Sequence, residues 1–190
     1  MKYEVKIGLS NKHLHLKQED IETLFGKGYE LTAIKDLVQP GQYACEEKVD
    51  IVGPKGTLKG IRVLGPARPE TQVELAITDA RTIGITPMVR ESGKLEGTPG
   101  CKLIGPKGEV ELDYGVIVAL RHVHLSAAQA IDAGVKDKDI IALKVGGERG
   151  VIFDNVLVRA GDAHEREAHL DTDEGNAAGC DANSVAELVI

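Results

Sequence analysis

The sequence predicts a mainly β (α+β) protein made of two small β-barrel domains, capped by short α-helices and related by internal duplication. Three observations lead there. A His-x-His motif occurs twice, as His13-Leu14-His15 and His122-Val123-His124, each time at the end of an apolar run. Short β-branched runs separated by Gly turns fill most of the chain, the pattern of small barrels. Segments downstream of the two motifs can also be matched in the same order. With 190 residues there is enough chain for two cores of this size. Residues 1–90 form the first barrel half, and 91–190 the linker and second half, with chain segments able to exchange between barrels. No strand is followed by Gly-x-Gly-x-x-Gly and a helix, which disfavours a doubly wound nucleotide fold.

The elements follow in order. Val5 to Leu9 reads as a strand running into the first motif, as Val116 to Leu120 does into the second. In a strand, residues i and i+2 share a face, so each motif presents two imidazoles side by side and turns Leu14 or Val123 into the core. Gln18 to Phe25 reads as a helix stopped by Gly26. Ser126 and Gln129 have capping-box spacing for a second helix, and Gly134 suits its end. Gly-Pro-Lys-Gly at Gly53 to Gly56 and again at Gly105 to Gly108 marks turns between strands. Neither is a phosphate loop, because no helix follows. Ile61-Arg62-Val63-Leu64 matches Asn155-Val156-Leu157-Val158, and Val73-Glu74-Leu75 matches Ala168-His169-Leu170. The first half is longer, which fits a loop insertion around Asp36 to Glu47. Thr86 to Gly100, rich in Gly and Pro, reads as the linker.

Composition narrows the function. The net charge is -7 and aromatic residues make up 3% of the chain with no Trp. Neither a basic stripe nor a stacking platform for nucleic acid is available. Local arginines or a metal can still favour an anionic substrate. The three cysteines, Cys45, Cys101 and Cys180, form no CxxC and fit a reducing compartment. The N-terminus has no apolar run for a signal peptide or membrane span.

The chemistry centres on two three-residue sets: His13, His15 and Glu74, and His122, His124 and His169. Two imidazoles plus a carboxylate, or three imidazoles, leave a fourth metal position open for water or substrate, as in catalytic zinc sites. A lone His-x-His is an ordinary half-exposed face; its duplication with a matched third residue favours metal. His164 reads as solvated or as support for that site. Arg68, in Gly65-Pro66-Ala67-Arg68-Pro69-Glu70, offers a fork for phosphate or carboxylate, against the plainer reading of a surface pair with Glu70. Arg90 and Arg121 are weaker anion candidates and read as structural. Ser10 and Ser126 flank the motifs without a nucleophile elbow, and the cysteines read as small buried residues.

Ser-Asn-Lys-His-Leu-His-Leu, Gly-Pro-Ala-Arg-Pro-Glu-Thr-Gln-Val-Glu-Leu, Arg-His-Val-His-Leu-Ser and Ala-His-Leu-Asp-Thr-Asp-Glu-Gly-Asn-Ala-Ala, in that order, resemble the phosphate propanoyltransferase family of the propanediol-utilisation type. The resemblance implies an acyltransferase that interconverts propanoyl-CoA or acetyl-CoA plus phosphate with acyl-phosphate plus coenzyme A. It implies two zinc ions, on His13, His15 and Glu74 and on His122, His124 and His169, and Arg68 as the phosphate-binding catalytic residue. Coenzyme A enters as substrate. Cobalt or iron would suit the same ligands. Direct attack by phosphate at a two-metal site needs no enzyme nucleophile, which agrees with the missing triad. Members with an N-terminal extension enter a bacterial microcompartment. This chain starts at the barrel, so a cytoplasmic bacterial enzyme is expected, with no membrane and no nucleic acid among its partners and a homodimer as the simplest assembly. Two rival readings use the same residues: a dinuclear metal hydrolase of thioesters or phosphoesters, and a non-catalytic module with structural zinc.

Overall fold

The structure, a computed structural model, describes residues 3–190. Met1 and Lys2, the start of the segment read for a leader, lie outside the described residues. The chain runs β1 (Glu4–Ser10), β2 (His13–His15), α1 (Gln18–Phe25), β3 (Ala33–Asp36), β4 (Tyr43–Gly53), β5 (Gly56–Gly65), β6 (Gln72–Glu74), α2 (Ile77–Thr82) and β7 (Val89–Arg90). It continues with β8 (Cys101–Ile104), β9 (Glu109–Leu112), β10 (Val116–Ala119), β11 (His122–Leu125), α3 (Ala127–Ala133), β12 (Ile140–Val145), β13 (Val151–Ala160), β14 (Glu167–Asp171), α4 (Thr172–Ala178) and β15 (Val185–Val189). The described residues are mainly β with four short helices. No helix among the described residues is long and apolar enough to cross a membrane.

The chain divides into two compact units, but not at 90/91. One unit holds Lys12–Leu37 and Gly41–Ala119; the other holds the described residues through Asn11, Val38–Pro40 and Leu120–Ile190. The second is a closed barrel in the order β1-β14-β11-β13-β12-β15. The first is a curled half-barrel ordered β7-β10-β6-β2-β5-β4-β8-β9, with β3 on β4. Strand pairing explains the displaced boundary. β1 precedes β2 in the chain yet pairs with β14 and β15, and β10 precedes β11 yet pairs with β6 and β7. Each unit thus contains the strand that leads into the other unit's His motif. The Thr86 to Gly100 stretch is not a linker. It lies within one unit, where Leu95 is buried and the buried Thr98 hydroxyl accepts the Gly115 N–H.

The duplication is visible in the sheets. β2 runs parallel to β5 and antiparallel to β6, and β11 runs parallel to β13 and antiparallel to β14. The register differs by one residue from the match read in the sequence: Arg62 lies opposite His13 and Leu157 opposite His122, so Arg62 and Leu157 are the equivalent pair. Each unit buries its own core. Leu14, Ile21, Leu24, Ile51, Val63 and Leu103 meet in one; Ile7, Val123, Leu125, Leu143, Val158 and Leu170 meet in the other. Leu14 and Val123, the central residues of the two motifs, are fully buried. Strand alternation then fixes both imidazoles of each motif on the opposite face.

The helices close these sheets for local reasons. α1 buries Ile21, Leu24 and Phe25, one apolar stripe at helical spacing. α3 begins with a complete capping box, Ser126 with Gln129, and ends at Gly134 in the left-handed region at φ 76°. The extra residues around Asp36 to Glu47 build the β3–β4 hairpin, with Asp36 opposite Tyr43.

Candidate metal centres and anion site

The antiparallel pair β2–β6 places His13 opposite Glu74 and His15 opposite Gln72. His13 Nε2 lies 3.5 Å and His15 Nε2 4.0 Å from the Glu74 carboxylate, and one ligand atom from each of the three lies within 4.8 Å of the others. The pair β11–β14 places His122 opposite His169 and His124 opposite Glu167, and His122, His124 and His169 converge just as closely. All six residues selected from the sequence therefore fall into the two expected groups of three. Both groups stand on paired strands, which fix their spacing better than loops would.

Burial disfavours the charged form of two of these imidazoles, His15 and His124. His15 is 2% exposed, and its pKa is lowered to about 3, first by desolvation and then by His13 and Arg68. Desolvation, followed by the His122 and His169 rings, holds His124 far below the usual imidazole range. Burial alone would raise Glu74, but His13, His15 and Arg68 outweigh it and hold the carboxyl well below its ordinary value.

The donor sets fit a metal cation. His122 Nδ1 donates to the Leu120 carbonyl at 2.8 Å and His15 Nδ1 to the Leu64 carbonyl at 3.2 Å. A carbonyl only accepts, so each ring keeps its lone pair on Nε2. His122 Nε2 faces His124 Nε2 at 3.1 Å, and His15 Nε2 faces the Glu74 carboxylate. In the His15–Glu74 meeting both atoms are acceptors, and acceptors aimed at one another repel unless a cation lies among them. Two imidazole nitrogens on a tetrahedral zinc, each about 2.0–2.1 Å from it, stand roughly 3.3 Å apart, close to the spacing seen. Behind His124, Nδ1 meets His164 Nδ1 at 2.9 Å, so His164 supports this ring instead of facing solvent alone.

Arg68 joins the first group. Its backbone N–H donates to the Leu16 carbonyl at 2.8 Å, pinning its loop beside the end of β2. Its Nη1 reaches Ser92 Oγ at 3.5 Å, and its charge acts on both His15 and Glu74. Glu70, the suggested surface partner, instead accepts from the Tyr114 hydroxyl at 2.8 Å. A half-buried guanidinium whose charge reaches a carboxylate and an imidazole suits an anion better than a plain surface pair would. Arg121 pairs with Glu174 at 2.9 Å and covers the Phe153 ring. Arg90 borders an open surface depression with Lys94 and Tyr114. Ser126 caps α3. Cys45 and Cys101 are buried.

Three residues around the groups were not singled out from the sequence: Gln72, Ser92 and Glu167. Gln72 Nε2 donates to Glu74 Oε1 at 2.5 Å and to Ser92 Oγ at 2.8 Å. Ser92 Oγ in turn donates to Glu74 Oε1 at 3.3 Å. Glu167 Oε2 accepts from His169 Nε2 at 2.8 Å. One signal was available. Each third member is preceded, two residues earlier on the same strand face, by a polar residue: Gln72 before Glu74 and Glu167 before His169.

Comparison with known proteins places these features in one group. The profile of the phosphate propanoyltransferase family matches residues 6–181. A phosphate propanoyltransferase of Thermotoga maritima is 53% identical over 96% of this chain and 88% of its own. Those of Salmonella typhimurium and Clostridioides difficile are 49% and 47% identical, each over 97% of this chain and 89% and 88% of their own.

Proposed function

The chain belongs to the phosphate propanoyltransferase family and is an acyltransferase, and from that premise we propose that it exchanges a short acyl group, propanoyl or acetyl, between coenzyme A and inorganic phosphate at the two three-residue groups and Arg68. The observation that supports this reading best is the convergence of His13, His15 and Glu74 on paired strands, with the half-buried Arg68 in the loop before β6 bringing its charge to bear on His15 and Glu74.

In this reading His13, His15 and Glu74 hold one zinc and His122, His124 and His169 the other. Zinc bound there would supply Lewis-acid stabilisation for the carbonyl oxygen and the departing thiolate. Arg68 grips phosphate through its fork and holds it in one orientation, and such positioning replaces a slow encounter with a near-intramolecular one. A phosphate oxygen forms a bond to the thioester carbonyl carbon and the C–S bond breaks. The proton of hydrogen phosphate ends on the thiol, so acyl-phosphate and coenzyme A leave with atoms and charge balanced. No enzyme nucleophile is consumed, and no acyl-enzyme accumulates.

The test is release of free thiol from propanoyl-CoA and from acetyl-CoA by zinc-replete protein, with and without phosphate. Release that requires phosphate, with acyl-phosphate formed in equal amount, supports the reading. Release indifferent to phosphate would move the protein to thioester hydrolysis, which the names of its relatives do not favour.

A further inference from the structure

In both units the register draws a square of four side chains across two antiparallel strands. Three corners form the ligand group and the fourth is Gln72 in one unit and Glu167 in the other. Both fourth corners are buried, at 2% and 9% exposure. A buried amide or carboxylate is costly unless its polar atoms are partnered. Each is partnered with the third member of its group, and the sense of the hydrogen bond is matched to that member. The carboxylate of Glu74 meets an amide donor, and the imidazole of His169 meets a carboxylate acceptor.

We propose that Gln72 and Glu167 are positioning residues, fixing the orientation of Glu74 and the tautomer of His169 for metal binding; the inference rests on the metal reading given above. Gln72 cannot be flipped without loss, because its Oε1 accepts the Gly93 N–H at 2.8 Å and so leaves the NH2 for Glu74 and Ser92. A carboxylate only accepts, so the bond to Glu167 puts the His169 proton on Nε2 and leaves the lone pair on Nδ1. Partners of this kind hold a ligating ring and raise its basicity, and losing one weakens metal binding about 10- to 100-fold.

A separate observation supports the role of Glu167. Gly8 stands beside His169 in the parallel pair β1–β14. A Cβ at Gly8 would come 2.8 Å from Glu167 Cδ, 2.9 Å from its Oε1 and 3.1 Å from His169 Cδ2. Glycine weakens a strand interior and marks a close approach. Here the space it leaves is filled by the carboxylate and the ring together.

The experiment measures zinc content and zinc affinity, by elemental analysis and chelator competition, on the whole chain and its Glu167→Gln, Gly8→Ala and Gln72→Glu variants. Cobalt-substituted samples give the absorption spectrum of each site. The unaltered protein should take up two zinc ions. Glu167→Gln should still take up two at saturation, one of them about 10- to 100-fold more weakly, with one cobalt spectrum altered and the other unchanged. Gly8→Ala should weaken the same ion by crowding the carboxylate, and Gln72→Glu should weaken the other. Unchanged affinities in Glu167→Gln or in Gln72→Glu would overturn the proposal. So would complete loss of one zinc at saturation in Glu167→Gln, since Glu167 would then be a ligand. Should that variant not fold, Gln72→Glu decides alone. An unaltered protein that takes up no zinc would overturn the metal reading itself, before any variant is compared.

Discussion

Arg68 can be tested by its charge and its shape separately. Its backbone is tied to Leu16 and its charge acts on Glu74 and His15. A hydrogen bond to a charged group contributes about 1.5–3 kcal/mol, so on the proposed function Arg68→Ala should raise the KM for phosphate about 10- to 100-fold in steady-state assays while the zinc content matches that of the unaltered protein. Loss of zinc in that variant would mean that Arg68 supports the site instead of binding substrate. Arg68→Lys keeps the charge without the fork, and should fall between the two. Cysteine reactivity gives a second test at this scale. Desolvation pushes the thiols of Cys45 and Cys101 up to about 11 and about 12, while Cys180 is half-buried and raised less. Thiolate is the reactive form, and a raised pKa delays it to higher pH. Alkylation at pH 8 followed by peptide mass mapping should therefore find Cys180 modified first, with Cys45 and Cys101 resistant until the chain unfolds. The residues that present donor atoms were legible in the sequence because His-x-His is a local pattern and its duplication predicts the matched Glu74 and His169. Their partners left only a faint trace, a polar residue two places earlier on each strand, because what Gln72 and Glu167 do depends on hydrogen bonds made in the folded arrangement.

At the scale of the element, local signals were enough wherever they were complete. α3 follows from Ser126, Gln129 and Gly134, all within one short stretch. α4 carries the same signals, with an Asp171 and Glu174 capping box and Gly179 in the left-handed region. α2 has no side-chain cap and six residues, too few to show a helical period. The caps predict stability. Replacing an N-cap Ser or Asp with Ala costs about 1 kcal/mol, so Ser126→Ala and Asp171→Ala should each lower the urea midpoint without changing the slope. Lys17, at the start of α1, caps with no side-chain hydrogen bond, and its ammonium, open to water, stands a loose 3.9 Å from the buried Asp20, whose carboxylate already accepts from the Thr71 hydroxyl. Lys17→Ala should therefore shift the midpoint by only a few tenths of a kcal/mol. Equal losses at all three positions would mean that helix capping is not what Ser126 and Asp171 contribute. Register was the part that sequence matching missed. A single-residue offset between the Ile61 and Asn155 segments leaves both runs plausible as strands, and only the pairing of Arg62 with His13 and Leu157 with His122 decides it.

At the scale of the whole molecule, the exchanged strands determine which pieces of chain can fold. A cut at 90/91 separates β7 from its partner β10 and removes β1 from β14 and β15. The boundary looked natural in the sequence because Gly and Pro cluster there, yet a linker's composition says nothing about which sheet its flanking strands join. Residues 12–119 retain all of β2 to β10 and the core around Leu14, Ile51 and Leu103, and should give a cooperative thermal transition on their own. Residues 120–190 lack β1, which supplies the buried Val5 and Ile7 and bridges β14 to β15. Without it the barrel has two open edges and a gap in its core, so this fragment should fail to fold or should aggregate. β1 runs antiparallel to β15, with Glu4 opposite Glu187, so a short turn can join the end of β15 to the start of β1. A permuted chain reading 120–190, a Gly-rich linker of about four residues and then 3–11 should restore the closed barrel, with circular dichroism and a cooperative melt where the bare 120–190 fragment shows neither. If that fragment folded as well without β1, barrel closure would not be what holds this unit together, and helix packing on the remaining five strands would have to supply its stability.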